Sequence, residues 1–136
     1  MKQFTSKTQK IGEIGENTAC KFLMKHGFKI IERNYTKKWG EIDIIAKKFS
    51  KIYFFEVKTL SFPDIELVSQ ETLNSTYRPE DNINDLKIKR LSRAIQTYIL
   101  DRKVSGETKW QFDLITVYLD LAKKKAKVGR IEDIIL

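Results

Sequence analysis

The sequence predicts an α/β domain, a mixed central sheet flanked by helices, with residues 1–136 forming a single domain. Three observations carry this expectation. Two stretches, 7–26 and 85–101, repeat apolar residues at helical spacing. Short runs rich in Ile, Val, Phe and Tyr lie between and after them. A chain of 136 residues with 41% hydrophobic content suits one core and leaves little for a second.

The first helix is expected over 7–26. Ser6 followed by Gln9 has the form of a capping box, Gly27 of a helix stop, and Ile11, Ile14, Ala19, Phe22 and Leu23 recur between them. Gly12 and Gly15 weaken its first turns and leave room for a second chain to approach, so a homodimer is among the arrangements expected. Residues 28–35, FKIIERNY, form a strand by composition. Residues 41–46 and 51–59 form two more, joined by Lys47-Lys48-Phe49-Ser50 as an antiparallel hairpin. Residues 61–85 contain both prolines and form an irregular loop, with a short helical piece around Glu66 to Leu73. The second helix, 85–101, starts at Asp85 and aligns Leu91, Ile95, Tyr98 and Ile99. Residues 110–119, WQFDLITVYL, give a strong strand, and Lys125 to Leu136 add a last short one after a basic turn.

Charge narrows the function. There are 26 Lys and Arg against 18 Asp and Glu, a net +8. Residues 61–85 hold six acidic residues and one basic, so the rest carries 25 basic and 12 acidic residues, or +13. Such an excess suits a polyanion, with DNA ahead of RNA. One Cys (Cys20) and one His (His26) exclude an internal disulfide and a structural zinc site. Cys20 falls among apolar helix residues and reads as packing. His26 falls at a helix end, where a cation is favoured. The N-terminal MKQFTSKTQK lacks the apolar core of a signal peptide, and no apolar run approaches membrane-spanning length. A cytoplasmic protein without a membrane partner is expected.

The stretch GEIDIIAKKFSKIYFFEVKTL places Asp43, Glu56 and Lys58 inside apolar strands, where losing water is costly for each ion. Alternation puts Glu41, Asp43 and Ile45 on one face, and Glu56 with Lys58 on one face of the next strand. Across a short hairpin Asp43 and Glu56 converge, and two such carboxylates repel unless a proton or cation lies between them. A hard divalent cation, Mg²⁺ or Mn²⁺, resolves that conflict through oxygen ligands. Lys58 would then stabilise charge on a phosphate or position the attacking water. The alternative is a salt-bridged hairpin at a sheet edge. Lys87 and Arg90 share a helix face that fits either a phosphate backbone or solvent. Asp113 suits either a place near the site or a structural hydrogen-bonding role. Trp39 and Tyr35 suit either base stacking or packing, and Glu41 lies a pleat from Asp43.

Asp43 with Glu56-Val57-Lys58 resembles the PD-(D/E)xK (restriction-endonuclease-like) nuclease superfamily. The wider pattern is similar to the uncharacterised YraN-like bacterial family. It comprises Gly12-x-x-Gly15-Glu16-x-x-Ala19, Arg33-Asn34-Tyr35, Gly40-Glu41-Ile42-Asp43 and Phe55-Glu56-Val57-Lys58-Thr59. Lys87, Arg90-Leu91, Ala94 and Phe112-Asp113 continue it. The resemblance implies a restriction-endonuclease-like core. It implies Asp43 and Glu56 as primary metal ligands, Glu16 as a further metal ligand or a carboxylate just outside that set, and Lys58 as the catalytic lysine. Ile42 stands where the superfamily has a nominal Pro, and Leu60 where the family pattern has Arg. The expected function is metal-dependent phosphodiester hydrolysis on DNA or RNA. The alternatives are a non-catalytic nucleic-acid-binding or protein-interaction module on the same fold, and an assembly protein docking through the acidic loop.

Overall fold

A computed structural model of the chain describes residues 6–63, 65–67, 69 and 85–136. Its elements are α1 (Lys7–Lys25), β1 (Lys29–Lys37), β2 (Gly40–Lys48), β3 (Lys51–Ser61), a 3₁₀ turn (Ile65–Leu67), α2 (Asp85–Asp101), β4 (Trp110–Asp120) and β5 (Lys125–Ile131). The five strands form one sheet in the order β1-β2-β3-β4-β5. β3 and β4 run parallel and every other pair antiparallel, so the sheet is mixed. The single parallel pair forces a crossover between β3 and β4, and α2 lies on it. This is a restriction-endonuclease-like core: a five-stranded mixed sheet with one helix on each face.

Local chemistry accounts for the boundaries. The Ser6 hydroxyl accepts from the Gln9 amide at 3.1 Å and the Gln9 side chain accepts from the Ser6 amide at 3.2 Å, completing the capping box. α1 stops at Gly27, whose φ of +87° suits a residue without Cβ. Beside it His26 donates from Nδ1 to the Phe22 carbonyl at 2.8 Å, as a helix end favours. α2 occupies the residues its periodicity predicts. The β2–β3 turn is tighter than expected, just Phe49 and Ser50 between the paired Lys48 and Lys51. β1 is displaced to 29–37 and β5 ends at Ile131, short of the predicted extent. The helical piece expected over 66–73 is a 3₁₀ turn at Ile65–Leu67, and most of the acidic loop lies outside the described residues.

Two cores sandwich the sheet. On one face α1 sets Ala19, Cys20 and Leu23 against Ile44, Phe55, Ile115 and Val117. On the other α2 sets Leu91, Ala94, Ile95 and Tyr98 against Ile42, Ile45, Phe54, Phe112 and Leu114. Strict alternation along β2 therefore fails: Ile42 and Ile45 share the α2 core while Ile44 belongs to the α1 core. The shared face expected for Glu41, Asp43 and Ile45 does not hold, because the strand switches faces at Asp43. Opposite that point β1 carries Asn34 at a left-handed φ of +53°, between the Arg33–Ile44 and Tyr35–Ile42 pairs, and the β1–β2 register shifts further along, between Ile30 and Glu32. Leu60 packs with Ile65 and Tyr118.

Asp113 is fully buried and structural. Its Oδ1 accepts from Gln111 Nε2 at 2.7 Å and from the Asp133 amide at 2.9 Å. Its Oδ2 meets Arg130 Nε at 2.8 Å and Nη2 at 2.7 Å. Tyr35 is also a core residue, its hydroxyl donating to Asp101 at 3.1 Å.

Two glycines on one helix face separate packing from propensity. A Cβ on Gly15 would fall inside the Thr59 side chain on β3, whereas one on Gly12 would meet nothing within 4 Å. Gly15→Ala should destabilise by about 1–3 kcal/mol through overpacking. Gly12→Ala should stabilise by up to about 1 kcal/mol through helix propensity. Urea titration of both variants checks this, and equal effects would contradict the close α1–β3 contact.

Candidate active site

The site forms where two strands stop pairing. β2 and β3 are paired from Lys48–Lys51 up to Ile44–Phe55 and no further. Just beyond that point the Val57 amide would lack a partner from β2. The Asp43 side chain supplies it, Oδ2 accepting from Val57 N at 2.8 Å. A side-chain oxygen thus continues the ladder as the backbones part, which anchors the carboxylate beside Glu56.

Glu56 points to the α2 side, where its Oε1 meets Lys87 Nζ at 2.7 Å. The Glu56 side chain is only 14% exposed, so this ion pair is partly desolvated. Burial first, and the Glu56 charge second, push Asp43 up from its ordinary value of 3.8 to about 8, against the lowering pull of the Val57 hydrogen bond. Burial also raises Glu56, while its hydrogen bond and attraction to Lys87 lower it. Glu16 and Glu41 add smaller repulsions to both groups. Near neutral pH the pair therefore retains a proton unless a cation replaces it.

Glu16 comes from α1 on the other side. Its Oε1 accepts from Asn34 Nδ2 at 2.8 Å and from Arg33 Nη2 at 3.1 Å, while Arg33 also donates to Asn17 at 2.8 Å. Arg33 and Asn34 are positioning residues whose role the sequence did not disclose. The signal was available in principle: a charged residue and an Asn interrupting an apolar strand, Asn being the side chain that best tolerates φ > 0.

Asp43 stands between two open grooves of about 400 Å³ each. One is lined by Gly40, Glu41, Glu56, Lys87 and Arg90, the other by Thr8, Gly12, Glu16, Thr59 and Ser61. Gly40 is needed there, since a Cβ would lie 2.6 Å from the Arg90 carbonyl. Of the residues singled out from sequence, Asp43 and Glu56 line one groove at the end of the β2–β3 ladder, and Glu16 lines the other groove with Asp43. Lys58 follows two residues after Glu56 on β3, opposite Thr116 of β4. Lys87, whose helix face fits either a phosphate backbone or solvent from sequence, is paired here with Glu56. Arg90 lines the same groove, and Trp39 sits under the Arg93 guanidinium at 4.2 Å.

The donor chemistry fits a hard divalent cation: carboxylate oxygens, partly desolvated and mutually repelling. Among the described residues no three carboxylate, His or Cys groups stand together as a ready-made cage.

The fold and this carboxylate arrangement define a restriction-endonuclease-like α/β domain with the aspartate and Glu-x-Lys elements of the PD-(D/E)xK pattern in place. More narrowly, the chain belongs to the Uncharacterised protein family UPF0102, the YraN family, whose profile matches residues 15–117. A UPF0102 protein of Campylobacter hominis is 37% identical over 130 residues, covering 96% of this chain and 97% of the relative. Another, from Flavobacterium psychrophilum, is 33% identical over 123 residues, covering 90% and 91%. One from Caldicellulosiruptor bescii is 30% identical over 125 residues, covering 92% and 96%. Among the described residues, no helix is long and apolar enough to cross a membrane.

The raised Asp43 value sets a pH dependence. Unfolded, Asp43 ionises near its ordinary 3.8; folded, it holds its proton up to about 8. Between those values the folded state binds the extra proton, so stability in EDTA falls as pH rises from about 4 to about 8. Asp43→Asn keeps an acceptor for Val57 and removes the charge. It should flatten that profile and raise Tm at pH 8 by about 5 °C or more. Thermal melts of both proteins from pH 4.5 to 8.5 measure it; parallel profiles would contradict the buried repulsion.

Proposed function

We propose that this protein is a divalent-metal-dependent, nuclease-type protein that binds nucleic acid, DNA ahead of RNA, and hydrolyses phosphodiester bonds. The observation that carries the reading is the half-buried pair Asp43 and Glu56, whose charges repel each other where the β2–β3 ladder ends. A fold gains nothing in stability from such a pair, whereas a cation-binding centre requires it.

Asp43 and Glu56 would hold Mg²⁺ or Mn²⁺, with Glu16 alongside from α1. Bound there, the ion would supply Lewis-acid polarisation of a phosphate and a more acidic water. Asp43 is kept in place by Val57, and Glu16 by Arg33 and Asn34, so the carboxylates need little reorganisation. Lys58, on the Glu56 strand, offsets negative charge growing on the phosphate oxygens. Arg90, with Lys87 once it leaves Glu56, contacts flanking phosphates in the groove they line. The +13 excess outside residues 61–85 supports a polyanionic substrate and predicts binding that weakens steeply with salt.

The Lys87–Glu56 ion pair favours a second reading, a non-catalytic nucleic-acid-binding or protein-interaction module, because Lys87 already supplies a counter-charge.

Two measurements decide between them. Calorimetric titration should show Mn²⁺ binding to the wild type and at least tenfold weaker binding to Asp43→Asn; equal binding removes the metal site. A cleavage screen over branched, nicked, single-stranded and RNA substrates with Mn²⁺ should find one that is cut. On it Lys58→Ala should be slower by roughly a hundredfold while affinity changes far less. Cleavage of none of these substrates would favour the binding module.

A further inference from the structure

The β2–β3 hairpin turns in two residues, Phe49 and Ser50, with φ of +50° and +67°. Positive φ at both central positions defines the mirror-image turn whose favoured residues are Asn and Gly. A bulky Phe is costly in that backbone region. Nor does it contribute to a core, since Phe49 is 92% exposed. Folding alone gives no reason for this residue at this place.

Its surroundings are cationic. Lys48 Nζ lies 5.7 Å from the Phe49 ring centre and is fixed by a 2.7 Å hydrogen bond to the His26 carbonyl and by the Phe28 ring at 4.9 Å. Lys51 sits over Tyr53 at 5.5 Å. Lys51 and Lys109 line a groove beside Phe49 that is otherwise walled by hydroxyls and one acid, Glu107. An exposed aromatic face amid ordered cations is the arrangement on which unpaired bases stack while their phosphates are neutralised. A membrane anchor would need a broader apolar face than one ring.

We infer that the β2–β3 hairpin tip is a second nucleic-acid contact, which stacks an unpaired base of a single strand or frayed end on Phe49. Phe49 follows Asp43 by six residues along β2, about 20 Å at strand rise. A strand of roughly six nucleotides at B-form spacing bridges that distance. The inference rests on the nucleic-acid part of the proposed function and not on catalysis.

The test is the double substitution Phe49→Asn with Ser50→Gly, which installs the favoured turn. In EDTA, anisotropy with a labelled single-stranded 20-mer should show affinity reduced about fivefold or more, the scale of one lost stack. Competition by closed circular duplex should change less than twofold. Tm should rise by about 2 °C or more as backbone strain is relieved. Unchanged single-strand affinity overturns the inference and leaves the proposed function standing. Equal losses on strand and circle overturn the stacking. So does a lower Tm, which would make Phe49 a structural residue. Wild-type protein that binds neither at low salt removes this inference and the nucleic-acid reading together. Binding of wild type to phosphatidylserine vesicles that the substitution abolishes, with single-strand affinity intact, would assign the tip to a membrane instead.

Discussion

The hydrogen bond from the Val57 amide to the Asp43 carboxylate lies at the point where β2 and β3 diverge. Without an acceptor there, a half-buried strand amide would lose its protein partner, at a cost up to that of losing a hydrogen bond. With it, the two backbones can separate and leave grooves on either side of Asp43. The same bond fixes the carboxylate beside Glu56. Local backbone satisfaction and placement of the charged group are therefore one constraint. The left-handed Asn34 lies across from Asp43 in the register and donates to Glu16, bringing the α1 carboxylate to the same end of the sheet.

Holding charge in this position is expensive, and the surrounding residues limit the expense. Lys87 neutralises Glu56, Arg33 and Asn34 engage Glu16, and the Val57 amide partly offsets the burial of Asp43. What is left over at Asp43 is first the rest of its desolvation and second the repulsion from Glu56. Sites that act on substrates commonly keep such unrelieved strain, and the rest of the fold must compensate. Here two dry cores, one per sheet face, do so.

Much of this was legible in the sequence because it is written locally. The capping box at Ser6 and Gln9, the span of α2 and the hairpin each depend on residues a few positions apart. Asp43 and Glu56 could be brought together from strand geometry alone, since a tight hairpin joins them. The hidden features are long-range or break periodicity. Arg33 reaches Glu16 across 17 positions, and Gly40 is required only because the α2 backbone passes over it. Ile42 and Ile44 lie in different cores, an irregularity that no period-2 reading of β2 can register. From sequence the Lys87 helix face fits a phosphate backbone or solvent; its carboxylate partner lies on another element.

The buried contact between Asp113 and Arg130 ties the inner strand β4 to the edge strand β5. Arg130 follows Asp113 by 17 residues, and the segment after it returns to β4 through the Ile134 amide and the Phe112 carbonyl at 2.8 Å. The last strand thus supplies the guanidinium that makes burial of the Asp113 carboxylate tolerable, since desolvating Asp113 alone would be costly. An edge strand that looks dispensable in the sheet order is therefore part of what holds the inner strand β4 in place.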